Sequence, residues 1–240
     1  MRDRAACQRQ RRTRAQAIAA CGARIVRIEG NYNDSVAYAA RLAKEHGWHV
    51  VSDTSYEGYE AIPRDVMQGY ATIAAEIAEA DVPSFTHVFL QGGGVGLAAG
   101  VASYLWEREG ENRPCFIVVE PRQADCLYQN AIAGCVAKSA GSVDAIMAGL
   151  ASGEASPLAQ GIGDDVPVVA GESGAAGFAG LAVLMRDREL ARKVGLDTGA
   201  RVLVINTEGA TAPSVYAQLV GESAESVSKR QCDWLQRVAG

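Results

Sequence analysis

In this chain of 240 residues, a glycine-rich turn is the segment whose residue types point most clearly to a chemical role. Residues 91–96 read Gln-Gly-Gly-Gly-Val-Gly; they follow the apolar run 86–90 and precede the helix-forming run 97–106. Glycines at a strand-to-helix turn let backbone N–H groups approach an anion closely, and the positive end of the helix macrodipole faces the same point. The turn is therefore predicted to bind a phosphate group, although glycines at such a position also serve tight packing.

Acidic and hydroxyl side chains follow other apolar runs of the sequence. Asp53 comes directly after the run 48–52, and Thr207 directly after the run 201–206. Because ligands bind at the carboxyl ends of parallel strands, we expect the turns at these ends to surround one shared site. These turns are 53–58, 91–96, 120–121, 171–174 and 207–209. Taken alone, an aspartate at a strand end is more often a cap or turn residue than a catalytic base.

Two classes of cofactor are compatible with the glycine turn. Residues 94–99 match the G-x-G-x-x-A pattern of dinucleotide-binding folds, and Glu120, at the end of the next apolar run, could accept hydrogen bonds from a ribose. Pyridoxal 5′-phosphate is the alternative, because its single phosphate needs the same kind of glycine cradle. The Gly-Glu-Ser-Gly turn at 171–174 and the Asn-Thr-Glu-Gly turn at 206–209 have a role only in the second interpretation.

The elements that must position these turns alternate along the chain. Apolar runs predict strands at 23–28, 48–52, 86–90, 115–119, 136–138, 166–170 and 201–206. Helices are predicted between them, over about 34–46, 64–80, 97–107, 143–151 and 175–186, with others beginning near 123 and 212. Continuously apolar strands that alternate with helices predict an α/β fold, with a mainly parallel sheet covered by helices on both faces.

Composition narrows the class of protein further. Hydrophobic residues make up 48% and charged residues 21% of the chain, as in ordinary globular proteins. The net charge of −5 argues against a nucleic-acid surface, and no apolar run reaches the length of a membrane span. Six cysteines and three histidines show no metal-ligand spacing, so no metal site is expected and a reducing cytoplasm is the expected location.

Many ordered motifs resemble the diaminopropionate ammonia-lyases, within the tryptophan-synthase-β-like group (fold type II) of pyridoxal-phosphate enzymes. The resemblance covers about residues 15–215. The matching stretches are Asn-Tyr-Asn-Asp at 31–34, His-Gly-Trp at 46–48, Asp-Thr at 53–54, Glu-Gly-Tyr at 57–59, Ile-Pro at 62–63, Met-Gln-Gly-Tyr-Ala-Thr at 67–72, the turn 91–96, Val-Glu-Pro at 119–121, Ala-Asp-Cys at 124–126, Ile-Met-Ala-Gly-Leu at 146–150, Gly-Glu-Ser-Gly-Ala at 171–175 and Asn-Thr-Glu-Gly at 206–209.

The resemblance implies a homodimeric enzyme that uses pyridoxal 5′-phosphate to convert 2,3-diaminopropionate to pyruvate and ammonia. By the same resemblance Asp53 is the active-site acid, a candidate base for one substrate enantiomer. The hydroxyl of Thr207 would lie beside the pyridine nitrogen of the cofactor. The implied cofactor-binding residues are Gly92, Gly93, Gly94, Val95, Gly96, Glu172, Ser173 and Thr207.

The lysines depart from the family's pattern. The resemblance calls for a lysine that forms a Schiff base with the cofactor, in a motif that the family carries in an N-terminal region. The lysines of this chain, Lys44, Lys138, Lys193 and Lys229, do not stand in that motif, and Lys138 is the substitute to test. We therefore expect a C-terminal portion of such an enzyme, inactive alone. Alternatives are a non-catalytic paralogue that binds the cofactor or a full-length subunit, and a NAD-binding Rossmann-type protein.

The resemblance also predicts how the chain divides. The arginine-rich segment 1–14 is expected to be disordered or a lead-in outside the family pattern, and 15–82 a remnant of the smaller cofactor domain. Residues 83–240 would form the larger domain, which carries the phosphate loop. The segment 159–165 is shorter than its counterpart in the family, where a further strand and helix occur.

Overall fold

The computed structural model describes residues 15–30, 32–53, 55–93, 95–122, 124–135, 155–171 and 173–239. Residues 15–20 are helical. The helices that follow are α1 (Tyr32–His46), α2 (Ala61–Glu79), α3 (Gly96–Glu109), α4 (Cys126–Ala133), α5 (Ala155–Gln160), α6 (Ala176–Arg186), α7 (Arg188–Lys193), α8 (Pro213–Val220) and α9 (Ala224–Ala239). The strands are β1 (His87–Gln91), β2 (Cys115–Val119) and β3 (Val202–Val204), and Gly110–Asn112 form a short 3-10 helix.

The chain forms two compact units. The first contains the described residues of 28–145 and 183–204, and therefore includes the three strands and helices α1 to α4. The second contains the described residues of 1–27, 146–182 and 205–240, with α5, α8 and α9. We call them the sheet unit and the helical unit. The boundary at 82/83 expected from the resemblance stays a prediction.

A parallel three-stranded sheet with the order β2-β1-β3 forms the centre of the sheet unit. The register pairs His87 with Cys115 on one side and with Val202 on the other. All five residues of β1 are buried, as expected for a central strand that is apolar on both faces. The predicted parallel sheet is confirmed, and β1 delivers residue 92 to its carboxyl end.

Helices α2 and α3 pack closely in the same unit. A Cβ at Gly100 would lie 2.5 Å from the main-chain oxygen of Met67 and 3.0 Å from the Cβ of Tyr70. Position 100 therefore requires glycine, because any larger side chain would push α3 away from α2. This contact fixes α3, whose first turn begins at the glycine turn 91–96, against the helix that carries Tyr70.

The helical unit has a core of its own. Ala159, Tyr216, Val220 and Val227 form a buried cluster that joins α5, α8 and α9. Arg230 on α9 connects the same helices at the surface, because it donates to the main-chain oxygen of Ala159 and to the carboxylate of Glu222.

The strands predicted at 86–90, 115–119 and 201–206 are confirmed, with shifts only at their ends. Those predicted at 23–28, 48–52 and 166–170 are wrong, because these segments have no regular structure. Val26 is 49% exposed and Val51 76%, so these apolar runs are not buried in a sheet. The backbone of 166–170 is bonded elsewhere: the N–H of Val168 donates to Leu158, and the carbonyl of Val169 accepts from Asn206. The strand 136–138 and the helix 143–151 lie outside the described residues.

Most of the predicted helices are confirmed, with ends that differ by a few residues. Two short helices, α5 and α7, were not predicted. The start of α7 carries a recognisable signal, because the carboxylate of Asp187 accepts from the N–H groups of Glu189 and Leu190. Within the described residues no helix is long and apolar enough to cross a membrane.

Candidate functional site

The glycine turn begins tightly packed at the end of β1. The N–H of Gly92 donates to the carbonyl of Val119 at 2.8 Å, which extends the β1–β2 pairing by one bond. A Cβ at position 92 would lie 2.6 Å from the Cγ of Glu120 and 3.2 Å from the Cγ1 of Val118. Gly93 is exposed, and a Cβ there would meet no atom within 4 Å. Close packing therefore requires glycine at 92, whereas position 93 is open.

The turn ends in a strained residue at the start of α3. Val95 has a φ of +69°, the one positive value among the described non-glycine residues. A β-branched residue in this region costs on the order of 1–2 kcal/mol, and such strain concentrates at functional sites. The N-terminus of α3 follows at Gly96 and leaves backbone N–H groups outside the helical hydrogen-bond pattern. These groups could bind a phosphate. Gly94 lies outside the described residues.

Asp53 lies beside this helix start. A Cβ at Gly96 would lie 3.6 Å from the Cβ of Asp53 and 3.3 Å from the ring of Tyr70. The sheet unit therefore brings Asp53 next to the glycine turn 91–96, one of the turns expected to surround the same site. Asp53 is half-buried, so a ligand at the loop can reach it.

Glu120 has a structural role at the end of β2. Its Oε1 accepts from the N–H of Leu127 at 3.0 Å, and its Oε2 from the N–H of Tyr128 at 2.9 Å. Both carboxylate oxygens thus bind the first turn of α4, where free N–H groups and the helix dipole favour an anion. A helix start therefore uses one acceptor site on each oxygen of Glu120, and the ribose role of this residue stays a prediction.

Cys126 shares the environment of Glu120. Its Sγ lies 3.5 Å from Oε1 of that carboxylate. Burial, and then the negative charge of Glu120, raise the pKa of the Cys126 thiol above its usual value. A thiol held in its neutral form is a weak nucleophile, so Cys126 is a structural residue.

In the helical unit the two predicted turns at 171–175 and 206–209 interlock. The N–H of Ser173 donates to Oε1 of Glu208 at 2.7 Å, and the N–H of Gly171 donates to the carbonyl of Glu208 at 2.8 Å. A Cβ at Gly174 would lie 2.1 Å from Oδ1 of Asn206, so only glycine allows this approach. Ser173 is thus fixed against the segment that carries Thr207. Glu172 lies outside the described residues.

Sequence reasoning did not assign Glu208 a role, although it lies inside the Asn-Thr-Glu-Gly motif. The structure makes it the residue that joins the two turns of the helical unit: its carboxylate bonds Ser173, and its carbonyl bonds Gly171. The sequence did offer a signal for Glu208: it directly follows Thr207, in a motif already predicted to belong to the site.

The residues of the phosphate loop fit a phosphate-bearing cofactor, whereas the described lysines do not fit its covalent attachment. Lys44, Lys193 and Lys229 are all exposed. The amino group of Lys193 also pairs with Glu189 at 2.7 Å. A lysine nucleophile needs a desolvated position, and these three side chains are exposed to solvent. Lys138 lies outside the described residues. Among those the structure covers, no group of histidine, cysteine and acidic side chains is arranged to hold a metal ion.

A family model described as "Pyridoxal-phosphate dependent enzyme" matches residues 5–166. The chain is 39% identical to the diaminopropionate ammonia-lyase of Salmonella typhimurium, over 88% of this chain and 62% of the relative. It is 36% identical to that of Escherichia coli K12, over 90% of this chain and 62% of the relative. The chain thus spans 62% of the length of these curated relatives.

Solved structures give the same result for the fold. A crystal structure of Escherichia coli diaminopropionate ammonia lyase, in complex with an aminoacrylate-PLP azomethine reaction intermediate, matches with a TM-score of 0.78 and 33% identity. The match covers 87% of this chain and 62% of that one. The processed threonine deaminase isoform 2 of Solanum lycopersicum matches with a TM-score of 0.60 at 18% identity, which bears on the fold alone.

Proposed function

The chain belongs to the pyridoxal-phosphate dependent enzymes, and from this we propose that it binds pyridoxal 5′-phosphate with the cofactor's phosphate on the loop 92–96. The observation that carries the proposal is the loop itself. A glycine that close packing requires at 92 and a strained Val95 lead directly into the N-terminus of α3. Backbone N–H groups and the helix dipole at this point favour an anion.

We further propose that the reaction served by this site is the elimination of ammonia from 2,3-diaminopropionate, after which water hydrolyses the enamine product to pyruvate and a second ammonia. The proposal is supported by the relatives named diaminopropionate ammonia-lyase. The bound cofactor supplies an electron sink for the carbanion formed at the substrate α-carbon. Asp53, beside the loop, is the proposed base that takes the α-proton. The cofactor contacts of Ser173, Glu172 and Thr207, and the homodimer, stay predictions that rest on the resemblance.

The chain alone is proposed to bind the cofactor without a covalent bond. The described lysines are exposed, and one of them is paired with a glutamate. Lys138 is the remaining lysine of the chain. A cofactor adduct that borohydride fixes on Lys138, found by peptide mapping, would contradict this part of the proposal. Pyruvate release from 2,3-diaminopropionate by the purified chain would contradict it as well.

Thermal unfolding tests the cofactor class. Pyridoxal 5′-phosphate at 100 times its Kd should stabilise the chain by about 2.7 kcal/mol, which raises the Tm of a chain of this size by about 5–10 °C. Pyridoxal, which lacks the phosphate, should raise it much less, because the loop recognises the phosphate. A shift with NAD and none with pyridoxal 5′-phosphate would contradict the proposal and restore the dinucleotide interpretation.

A further inference from the structure

The hydroxyl of Tyr59 bonds twice to the main chain that leads to Asp53. It donates to the carbonyl of Val50 at 2.9 Å and accepts from the N–H of Ser52 at 3.0 Å. These two bonds use the one donor and one of the acceptor sites of a phenol. Residues 48–52 do not form a strand, so the side chain of Tyr59 supplies hydrogen bonds that a neighbouring strand would otherwise provide.

Tyr59 is itself fixed by a tight turn. The N–H of Tyr59 donates to the carbonyl of Tyr56 at 2.8 Å, and the N–H of Tyr56 donates back at 3.3 Å. The two rings stack with their centroids 4.7 Å apart. Gly58, with a φ of +80°, permits the reversal between them. The turn and the stacked ring therefore hold the side chain of Tyr59 in place, as a positioning role requires.

We propose that Tyr59 is a positioning residue, whose hydroxyl fixes the segment before Asp53 and so places the Asp53 carboxylate beside the phosphate loop. The inference rests on the proposed function, because it assigns Asp53 to the cofactor site. The Cβ of Asp53 lies against the position where α3 begins at Gly96. Without the two bonds of Tyr59, the irregular segment 50–52 would lose two of the hydrogen bonds that hold it, and the position of Asp53 would be less well fixed.

The charge of Asp53 gives this placement a measurable consequence. A carboxylate held beside the loop repels the phosphate of the cofactor. Asp53→Asn is therefore expected to tighten the binding of pyridoxal 5′-phosphate by about five-fold, because it removes the repulsion between two negative charges. Tyr59→Phe should change the affinity in the same direction by about two-fold, because it loosens the segment that carries Asp53 without removing the charge.

Amide hydrogen exchange of the full chain without cofactor tests the hydrogen bonds. Tyr59→Phe should raise the exchange rate of the Ser52 amide by at least about ten-fold, because this amide loses its acceptor. Tyr56→Phe is the matched control: its ring stacks in the same turn, and its hydroxyl makes no hydrogen bond among the described residues. An unchanged Ser52 rate in Tyr59→Phe would overturn the proposal.

A double-mutant cycle on the Kd of pyridoxal 5′-phosphate then tests the positioning role. Tyr59→Phe should have no effect on the Kd in the Asp53→Asn background, because Tyr59 acts through that carboxylate. An equal effect in both backgrounds would mean general loosening and would overturn the proposal. If the wild-type chain does not bind the cofactor, the proposed function fails and the positioning role fails with it. The Ser52 exchange rate still reports separately whether the Tyr59 bonds exist.

Discussion

At position 92 the space for a side chain is already filled. Glu120 lies where the Cβ of a larger residue would go, and its carboxylate cannot easily move because two backbone N–H groups of α4 hold it. The glycine is thus needed for packing. Packing alone accounts for it, which explains why a glycine-rich turn by itself is a weak indicator of a phosphate site.

Gly92→Ala should destabilise the chain by about 1–3 kcal/mol, because it overpacks a filled site. Thermal unfolding measures the change as a lower Tm. Gly93→Ala is the control for stability, since a Cβ at 93 would meet no atom within 4 Å. Equal changes of Tm in the two variants would contradict the packing argument.

At the scale of the elements, an ion pair connects helix α9 to the turn that precedes it, between α8 and α9. Arg230 donates to Oε1 of Glu222 at 2.9 and 2.8 Å, and Ser226 donates to Oε2 at 2.8 Å. These hydrogen bonds, those of Arg230 first, hold the pKa of Glu222 below its usual value. Because Arg230 also bonds the carbonyl of Ala159, the same side chain ties α5 to the turn.

Because of this ion pair, the stability of the folded chain should depend on pH. A carboxyl whose pKa is lowered by folding stabilises the chain above its unfolded pKa, and the contribution is lost as the pH falls through the folded value. Glu222→Gln should therefore lower the Tm at pH 7, and the difference from wild type should shrink below about pH 4. The pair is partly exposed, so the effect at pH 7 should not exceed about 1 kcal/mol.

The exposed pair Lys193–Glu189, on α7, provides the control for that experiment. Its side chains are 61% and 68% exposed. Solvent screens such a pair, so Glu189→Gln should change the Tm little at either pH. A Glu222→Gln effect that stays constant from pH 7 to pH 3 would contradict the role given to the ion pair.

At the scale of the whole molecule, several large apolar side chains remain exposed. On α4, Tyr128 is 61% and Ile132 66% exposed, and their i, i+4 spacing places them on one helix face. Exposed apolar patches of this kind favour association. The homodimer implied by the resemblance would cover such surface.

The chain is accordingly expected to self-associate at micromolar concentration. Sedimentation velocity over a dilution series measures this as a shift from a larger species to the monomer. The association should persist in 1 M salt, because burial of apolar surface is not screened. A chain that stays monomeric throughout the series, or that dissociates in salt, would contradict the prediction.

The sequence by itself determined β1 and β2 almost to the residue. Their apolar runs, and the glycine-rich turn that follows β1, are local signals of strands in a parallel sheet. An apolar run alone was not sufficient, because the runs 23–28, 48–52 and 166–170 form no strand. The glycine turn and its motifs also identified the family, which the match to residues 5–166 supports. These features are local, so short stretches of the sequence and their resemblance to the family's motifs are enough to read them.

Only the tertiary structure decided what the polar groups bind. The carboxylate of Glu120 accepts hydrogen bonds from the start of α4, and that of Glu208 accepts one from Ser173. The hydroxyl of Tyr59 binds the main chain of the segment before Asp53. The structure also leaves the run 48–52 without a strand. Hydrogen-bond partners and neighbouring strands are often distant in sequence, and one sequence alone does not show which distant groups come into contact.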